Sequence, residues 1–327
     1  GSWVIPMHQP YASFAQAMLE VQHYPDLREY PGGPPRRPYD VTAQTLPLLM
    51  NVEAVPVEEP VEVPLSGPIE PPDFAFQLPP TLQGPDAPRI GLYKSWREPQ
   101  DEGWTRWVFD TYGLRYDTLH DAEVRRGGLA ARYDVVLLQN QSPGSIREGF
   151  DPEEVPEAYA GGLGEEGVRA LRDFVRNGGR LVAVEAATEL VVDMFGLGVT
   201  NAVERLPPRD FYVPGSIVTL DLEDDPLTRG LDPAVAGWYW GSSRAFEVSD
   251  PTIRVVARYG EGNPVVSGWI LGPEHLAGRP ALLHATVGRG DVVLFGFQPN
   301  YRAQTVATWP LLFNALTPPE GGGTGGP

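Results

Sequence analysis

The sequence predicts an α/β fold, a parallel sheet covered by helices on both faces, preceded by a proline-rich N-terminal extension. Short apolar runs alternate with amphipathic stretches from Arg89 onward, and glycines close the helical stretches. Repetition of strand, helix and strand with short connections calls for right-handed crossovers, which lay parallel strands side by side. Residues 1–88 hold 18 of the 36 prolines, in little more than a quarter of the chain, which marks the extension.

In chain order, Ile90–Tyr93 reads as a strand, 101–112 as a helix and 116–119 as a second strand. The continuous apolar run within 133–138 suits a strand buried on both faces. Residues 165–176 have helical spacing and end in Asn177-Gly178-Gly179, a C-terminal stop. The strand Arg180–Val184 then runs into Glu185. Residues 280–297 read as a hairpin around Gly288-Arg289-Gly290-Asp291, and 301–316 as a closing helix. The chain divides into 1–55, a linker or strap over 56–88, a domain over 89–317 and a Gly-rich tail over 318–327 that reads as disordered. In the first part, Trp3 to Met7 reads as a strand end, and Phe14, Met18 and Leu19 as the apolar stripe of a helix beginning near Ser13. So short a segment cannot bury enough apolar surface alone and must pack on something else. The strap is acidic and proline-punctuated, with edge strands in its Val-rich part.

A formal net charge of -18 argues against nucleic acid, because phosphate neutralisation needs clustered Lys and Arg, and against an anionic membrane surface. The absence of cysteine removes disulfides and thiolate metal ligands. With no apolar run of about 18 residues and no charged start leading into one, the sequence reads as soluble, without membrane insertion or export signal.

Residues 89–317 resemble a class I glutamine amidotransferase-like domain, a flavodoxin-like parallel sheet sandwiched by helices. The resemblance rests on Leu137-Leu138-Gln139-Asn140, Gly178-Gly179-Arg180-Leu181-Val182 and Gly296-Phe297-Gln298-Pro299. That fold carries a Cys nucleophile on a strand-to-helix turn and a His-Pro-Glu after its last strand. Here the elbow is Glu185-Ala186-Ala187-Thr188 and the last strand leads into Gln298-Pro299-Asn300, so the degenerate triad positions are Ala186, Gln298 and Asn300. Residues 1–55, through Val4-Ile5-Pro6-Met7-His8-Gln9-Pro10-Tyr11 and Pro38-Tyr39-Asp40-Val41-Thr42-Ala43, are similar to the stretch following the catalytic domain in large bacterial zinc carboxypeptidase-family proteins. The resemblance implies a non-catalytic accessory region of such a protein, serving structure, assembly or substrate presentation. It implies the peptidase domain of that protein, or a second copy, as partner, and a secreted or periplasmic setting. Zinc is implied only in the peptidase domain, and no cofactor in this chain.

Residue types decide what chemistry is left. Acyl transfer needs a polarisable nucleophile with a base, and Thr188 has no base in Gln298; it reads as the cap of a helix over 189–195. His120-Asp121-Ala122-Glu123 has the spacing of two zinc ligands, with His275 or His284 as a third, but it falls at a strand end with Asp121 reading as an N-cap, so no metal site is assigned. Parallel sheets bind ligands beyond their strand ends. The rim there is Lys94, Trp96, Gln141, Ser142, Glu185, Gln298, Asn300 and Arg302, a mixture suited to a sugar or a peptide. A stand-alone carbohydrate- or peptide-binding module is therefore the alternative function. A hydrolase pairing Glu185 with Asp101 or Glu102 is another. Trp238, Tyr239, Trp240 and Phe246 read as a stacking platform or as core.

Overall fold

The computed structural model describes all residues except 1, 61–63, 65, 68, 69, 71–75, 98 and 319–327. Nearly all of the tail and part of the Val-rich stretch of the strap lie outside the described residues, and the described part of that stretch, 52–60, forms none of the expected edge strands. The extension carries α1 (Ala12–Leu19) and α2 (Leu46–Met50). The domain begins with β1 (Ile90–Tyr93), α3 (Gln100–Tyr112), β2 (Asp117–Leu119), α4 (Asp121–Arg125), α5 (Leu129–Arg132), β3 (Val135–Leu138) and α6 (Pro143–Glu148). It continues with α7 (Gly164–Arg176), β4 (Arg180–Val184), α8 (Ala187–Phe195), β5 (Val199–Asn201), β6 (Ser216–Leu222), β7 (Ala234–Tyr239) and β8 (Phe246–Val248). β9 (Arg254–Tyr259), β10 (Val265–Ser267), β11 (Pro280–Val287), β12 (Gly290–Phe295) and α9 (Trp309–Ala315) complete it.

β3 shows why the central strands have no polar face. Val135 and Leu137 enter a core with Val108 and Phe109 of α3 and Leu311 to Phe313 of α9. Val136 and Leu138 point to the other face and pack with Val168, Leu171 and Phe174 of α7 and Leu190 of α8. The two-residue period of a strand thus feeds two layers, each buried side chain contributing about 1.5–3 kcal/mol.

The sheet is mixed. Five strands run parallel in the order β2-β1-β3-β4-β12, and the sheet continues antiparallel through β11, β9 and β6. β7 pairs along β6, whose other edge β9 and β10 share. The expected parallel sheet is therefore only part of the structure. The antiparallel part comes from 216–287, where irregular segments and not crossover helices join the strands.

Local expectations meet three further corrections. Trp3 to Met7 form no strand. His120, not Asp121, is the N-cap of α4. The closing helix is broken: two short turns precede α9, because Arg302 and Ala303 sit at φ 47° and 55° and the helix restarts with Pro310 in its first turn, where a missing N–H costs nothing.

The extension attaches through Gln22 and through its second half. Ala43 and Leu49 pack on Ile217, Trp238 and Tyr301. Thr42 Oγ1 donates to the Gly215 carbonyl at 2.8 Å, and Thr45 Oγ1 meets Ser267 Oγ at 2.8 Å. Gly268 N–H donates to the Gln22 carbonyl, and Gly268 has φ 114°. A Cβ there would lie 2.5 Å from Ser216 Oγ and 2.8 Å from Thr42 Oγ1. Gly268→Ala is expected to cost roughly 1–3 kcal/mol and to raise proteolytic cleavage within 12–45. Limited proteolysis beside thermal denaturation checks both, and unchanged cleavage would show the extension held elsewhere.

Candidate functional site

β1 and β3 send the chain in opposite directions across the sheet, β1 towards β2 and β3 towards β4. At their carboxyl ends this divergence opens a crevice. α3 enters it with Asp101 and Glu102 in the first turn, where carboxylates complement the helix dipole. Glu102 turns away and pairs with Arg106, four residues on, so of the two acids only Asp101 belongs to the crevice network.

The turn from β4 into α8 places Glu185 at φ 48°, a left-handed conformation costly for a side chain-bearing residue. The strained residue is thus Glu185, and Ala186, expected as the nucleophile position, already has helical angles. Thr188 is not the cap either: it lies inside α8 and donates its hydroxyl to the Glu185 carbonyl at 2.6 Å. Glu185 is 0 % exposed. Its Oε1 accepts from Ser243 Oγ at 2.5 Å, and its Oε2 from Gln298 Nε2 at 2.8 Å and Ser242 Oγ at 3.2 Å. Burial pushes its carboxyl up to about 7, against the lowering effect of Ser243 and Gln298 and with help from the Asp101 charge.

Gln298 Nε2 also donates to Asp101 Oδ2 at 3.1 Å, so one amide bridges the two carboxyl groups. Asn140 Nδ2 donates to the same Asp101 oxygen at 3.1 Å, while Asn140 Oδ1 accepts from the Ala186 N–H at 3.2 Å. Burial raises the Asp101 carboxyl despite these two donors. Asn300 Nδ2 donates to Thr105 Oγ1 at 2.8 Å, tying the loop after β12 to α3. Beneath Glu185, the hydroxyls of Tyr239 and Tyr259 are both pushed up by burial.

Of the expected rim, Glu185 and Gln298 converge with Asp101, and Asn300 reaches Thr105, one turn further along α3. Gln141 is consumed by the loop after β1, donating to Ser95 Oγ at 2.7 Å and the Arg97 carbonyl at 2.8 Å. Ser142 caps α6. Trp96 stacks on His120 at 4.1 Å with Tyr159 edge-on, and His120 Nδ1 donates to the Lys94 carbonyl at 2.8 Å. Arg302 lies over Tyr301 and Trp240. His284 instead contacts Asp291 at 2.8 Å, at the opposite end of the parallel strands, so it does not join His120. Trp238, Tyr239 and Phe246 are core, and only Trp240 of that cluster is partly exposed. Sequence reasoning missed Ser242 and Ser243, whose only signal was a short Gly-Ser-Ser break after an apolar strand.

No family model and no curated protein matches the chain. Among solved structures it is similar to a β-galactosidase from Bacillus circulans sp. alkalophilus, with TM-score 0.43 and 12% identity, covering 68% of this chain and 30% of that one. A GMP synthase-like protein from Thermoplasma acidophilum gives TM-score 0.42 and 10% identity over 70% of this chain and 92% of that one. A ThuA-like protein from Bacteroides uniformis gives 0.42 and 12%, over 69% and 89%. The chain thus spans less than a third of the β-galactosidase. Among the described residues no helix is long and apolar enough to cross a membrane.

Proposed function

We propose that this chain is a non-catalytic accessory module with a class I glutamine amidotransferase-like domain, attached through its N-terminal arm to a zinc carboxypeptidase-like catalytic unit. The observation that carries the reading is the arm itself. Of the 18 exposed large apolar side chains among the described residues, 11 lie between Trp3 and Tyr39, and α1 buries no residue. Singly exposed apolar residues are ordinary, but this density on one segment marks a contact surface. The domain label draws on the flavodoxin-like order of the parallel strands and on the strained elbow after β4. Zinc belongs to the catalytic unit in this reading, and a secreted or periplasmic setting follows from the resemblance.

The acid/base pairing of Glu185 with Asp101 has the raised carboxyl of Glu185 in its favour. Glu185 is nevertheless sealed, each oxygen already taken by an internal donor, which ranks the accessory reading first.

Light scattering after size-exclusion chromatography tests the attachment, with this chain mixed with the zinc carboxypeptidase-family catalytic unit. A stable complex is expected, and Phe14→Asp, at a side chain 67% exposed, should weaken it at least tenfold without changing the melting temperature. Two species that elute separately at micromolar concentration would overturn the reading.

A further inference from the structure

We propose that residues 40–50 of the extension form a releasable cover, which lifts as a unit from an aromatic face of the domain made by Ile217, Trp238 and Tyr301. This goes beyond the accessory reading and does not depend on it. The covered face is a cluster separate from the two layers of the sheet core: Ala43 and Leu49 close it, with Val41 and Leu48 packed at its margin. Trp238 and Tyr301 stack at 4.4 Å within it. Trp240, whose backbone N–H donates to Ser243 Oγ in the Glu185 network, flanks the pair.

The contact is balanced on small terms. Of the segment's apolar side chains only Ala43, Pro47 and Leu49 are buried, and Leu46 is 41% exposed. Hydroxyl groups carry the rest: Thr42 Oγ1 meets Ser216 Oγ at 2.9 Å, and Thr45 Oγ1 meets Ser267 Oγ at 2.8 Å. Such bonds give way to water at little net cost. Against them stands a penalty on the closed state. Trp238 Nε1 and Tyr301 Oη are both buried in this cluster without a hydrogen-bond partner. Burial pushes the Tyr301 hydroxyl up to about 12 despite Arg302, and Asp40, where the segment begins, is among the charges that add to the rise. Closing therefore strips the hydroxyl of water and gives it no protein partner, whereas lifting returns it to water.

The flanks leave the segment free to move. Tyr39 is 97% exposed, and residues 51–60 are exposed throughout. Asn51 ends α2 at φ 54°, a left-handed angle that Asn tolerates better than most residues, so the chain turns away from the domain there. Lifting breaks no strand pairing, and the Gly268 N–H bond to the Gln22 carbonyl keeps the earlier part of the extension in place. Open, the chain presents Ile217, Trp238 and Tyr301 continuously with Trp240. Anything that binds this face competes with residues 40–50, and its apparent affinity is scaled by the open fraction.

Native-state hydrogen exchange of the whole chain in increasing urea tests the proposal. The Thr42 amide, bonded to the Gly215 carbonyl, and the Leu49 amide, bonded to that of Thr45, should exchange roughly a hundredfold or more faster than those of Val182 and Ala183 in β4. Their exchange should depend little on urea, because a local opening exposes little surface. Tyr301→Phe keeps the ring stack and removes the stranded hydroxyl, so exchange at both amides should slow about fivefold or more. The chain has no cysteine, so Thr45→Cys combined with Ser267→Cys introduces a single disulfide where the two hydroxyl oxygens now lie 2.8 Å apart. Oxidised, that variant should bring Leu49 exchange down to the β4 rate, and reduction should restore it. Wild-type exchange of Thr42 and Leu49 in step with β4, or a lock that leaves Leu49 unchanged, would overturn the proposal. Unchanged or faster exchange in Tyr301→Phe would do so too, by showing that the hydroxyl is satisfied beneath the cover.

Discussion

Asp291→Ala is expected to lower stability by about 3–5 kcal/mol at neutral pH, the largest loss among the substitutions considered. Arg180 begins β4 with its side chain 4% exposed, and Asp291 near the start of β12 is 11% exposed. The pair is forked: Arg180 Nε donates to Asp291 Oδ1 at 2.8 Å and Nη2 to Oδ2 at 2.6 Å. His284 donates from Nε2 to Oδ2 at 2.8 Å, and Arg254 donates to His284 Nδ1. Arg180 Nη1 also donates to the Ala315 and Thr317 carbonyls, so the network holds the end of α9 to the sheet. Removing the carboxylate strands a buried guanidinium, which costs more than the pair contributes. Burial alone would raise the Asp291 carboxyl, but Arg180 and then His284 outweigh it and bring it down to about 2. Because the folded value is depressed, its contribution is present above the unfolded value near 4 and is lost as pH falls through about 2, a loss of roughly 2–3 kcal/mol. Urea denaturation of both proteins from pH 7 to pH 2 should show their difference narrowing at the acid end. A difference below about 1 kcal/mol at pH 7 would mean that Arg180 finds other acceptors at the end of α9.

The parallel half of the fold was legible because its signals are local and agree with one another. β1, β4 and α7 fall within a residue of their sequence-based bounds: apolar runs, helical spacing and the Asn177-Gly178-Gly179 stop all point the same way. The antiparallel half was not. β6 and β9 bury residues on both faces over much of their length, so they lack the strict alternation that marks a half-buried strand. β11 and β12 were legible because a Gly-Arg-Gly turn separates them, whereas longer irregular segments separate β6, β7 and β9.

Within the site, the ends of strands already placed could be named in advance: Gln298 links Glu185 to Asp101, whereas Asn300 is tied to Thr105 instead. The strain could not be named. Which residue at a strand-to-helix turn takes the left-handed angles depends on where the strand's last ladder bond falls, and Glu185 N–H still donates to the Phe295 carbonyl at 2.7 Å. That bond holds Glu185 in register with the sheet and leaves Ala186 to begin α8. The Ser242 and Ser243 hydroxyls reach Glu185 across 57 and 58 residues, a separation no local pattern encodes.

Glu185→Gln is expected to stabilise the protein by about 3 kcal/mol at pH 8 and to be nearly neutral at pH 5, a sign opposite to that for Asp291. The carboxyl is raised to about 7 from 4.5, chiefly by burial, so between those values the folded state holds a proton that the unfolded chain has released. Stability from this group is therefore full below the unfolded value and is lost as pH rises through 7, at about 1.4 kcal/mol per unit of difference. Glutamine is nearly isosteric and cannot ionise, so it keeps above pH 7 what the wild type gives up. Its oxygen can still accept from Gln298 Nε2, and its amide nitrogen can donate to Ser243 Oγ, so no buried polar atom need be stranded. The strain at φ 48° is common to both residues and cancels in the comparison. Urea midpoints of the two proteins at pH 5, 6, 7 and 8 should lie close together at the first, diverge through pH 6 and 7, and separate little further by pH 8. A wild type more stable than Glu185→Gln at every pH would mean an ionised Glu185 throughout, held by Ser242, Ser243 and Gln298 as a true carboxylate site. The elbow would then be a preorganised anion in the crevice, and its pairing with Asp101 would regain first place over the accessory reading.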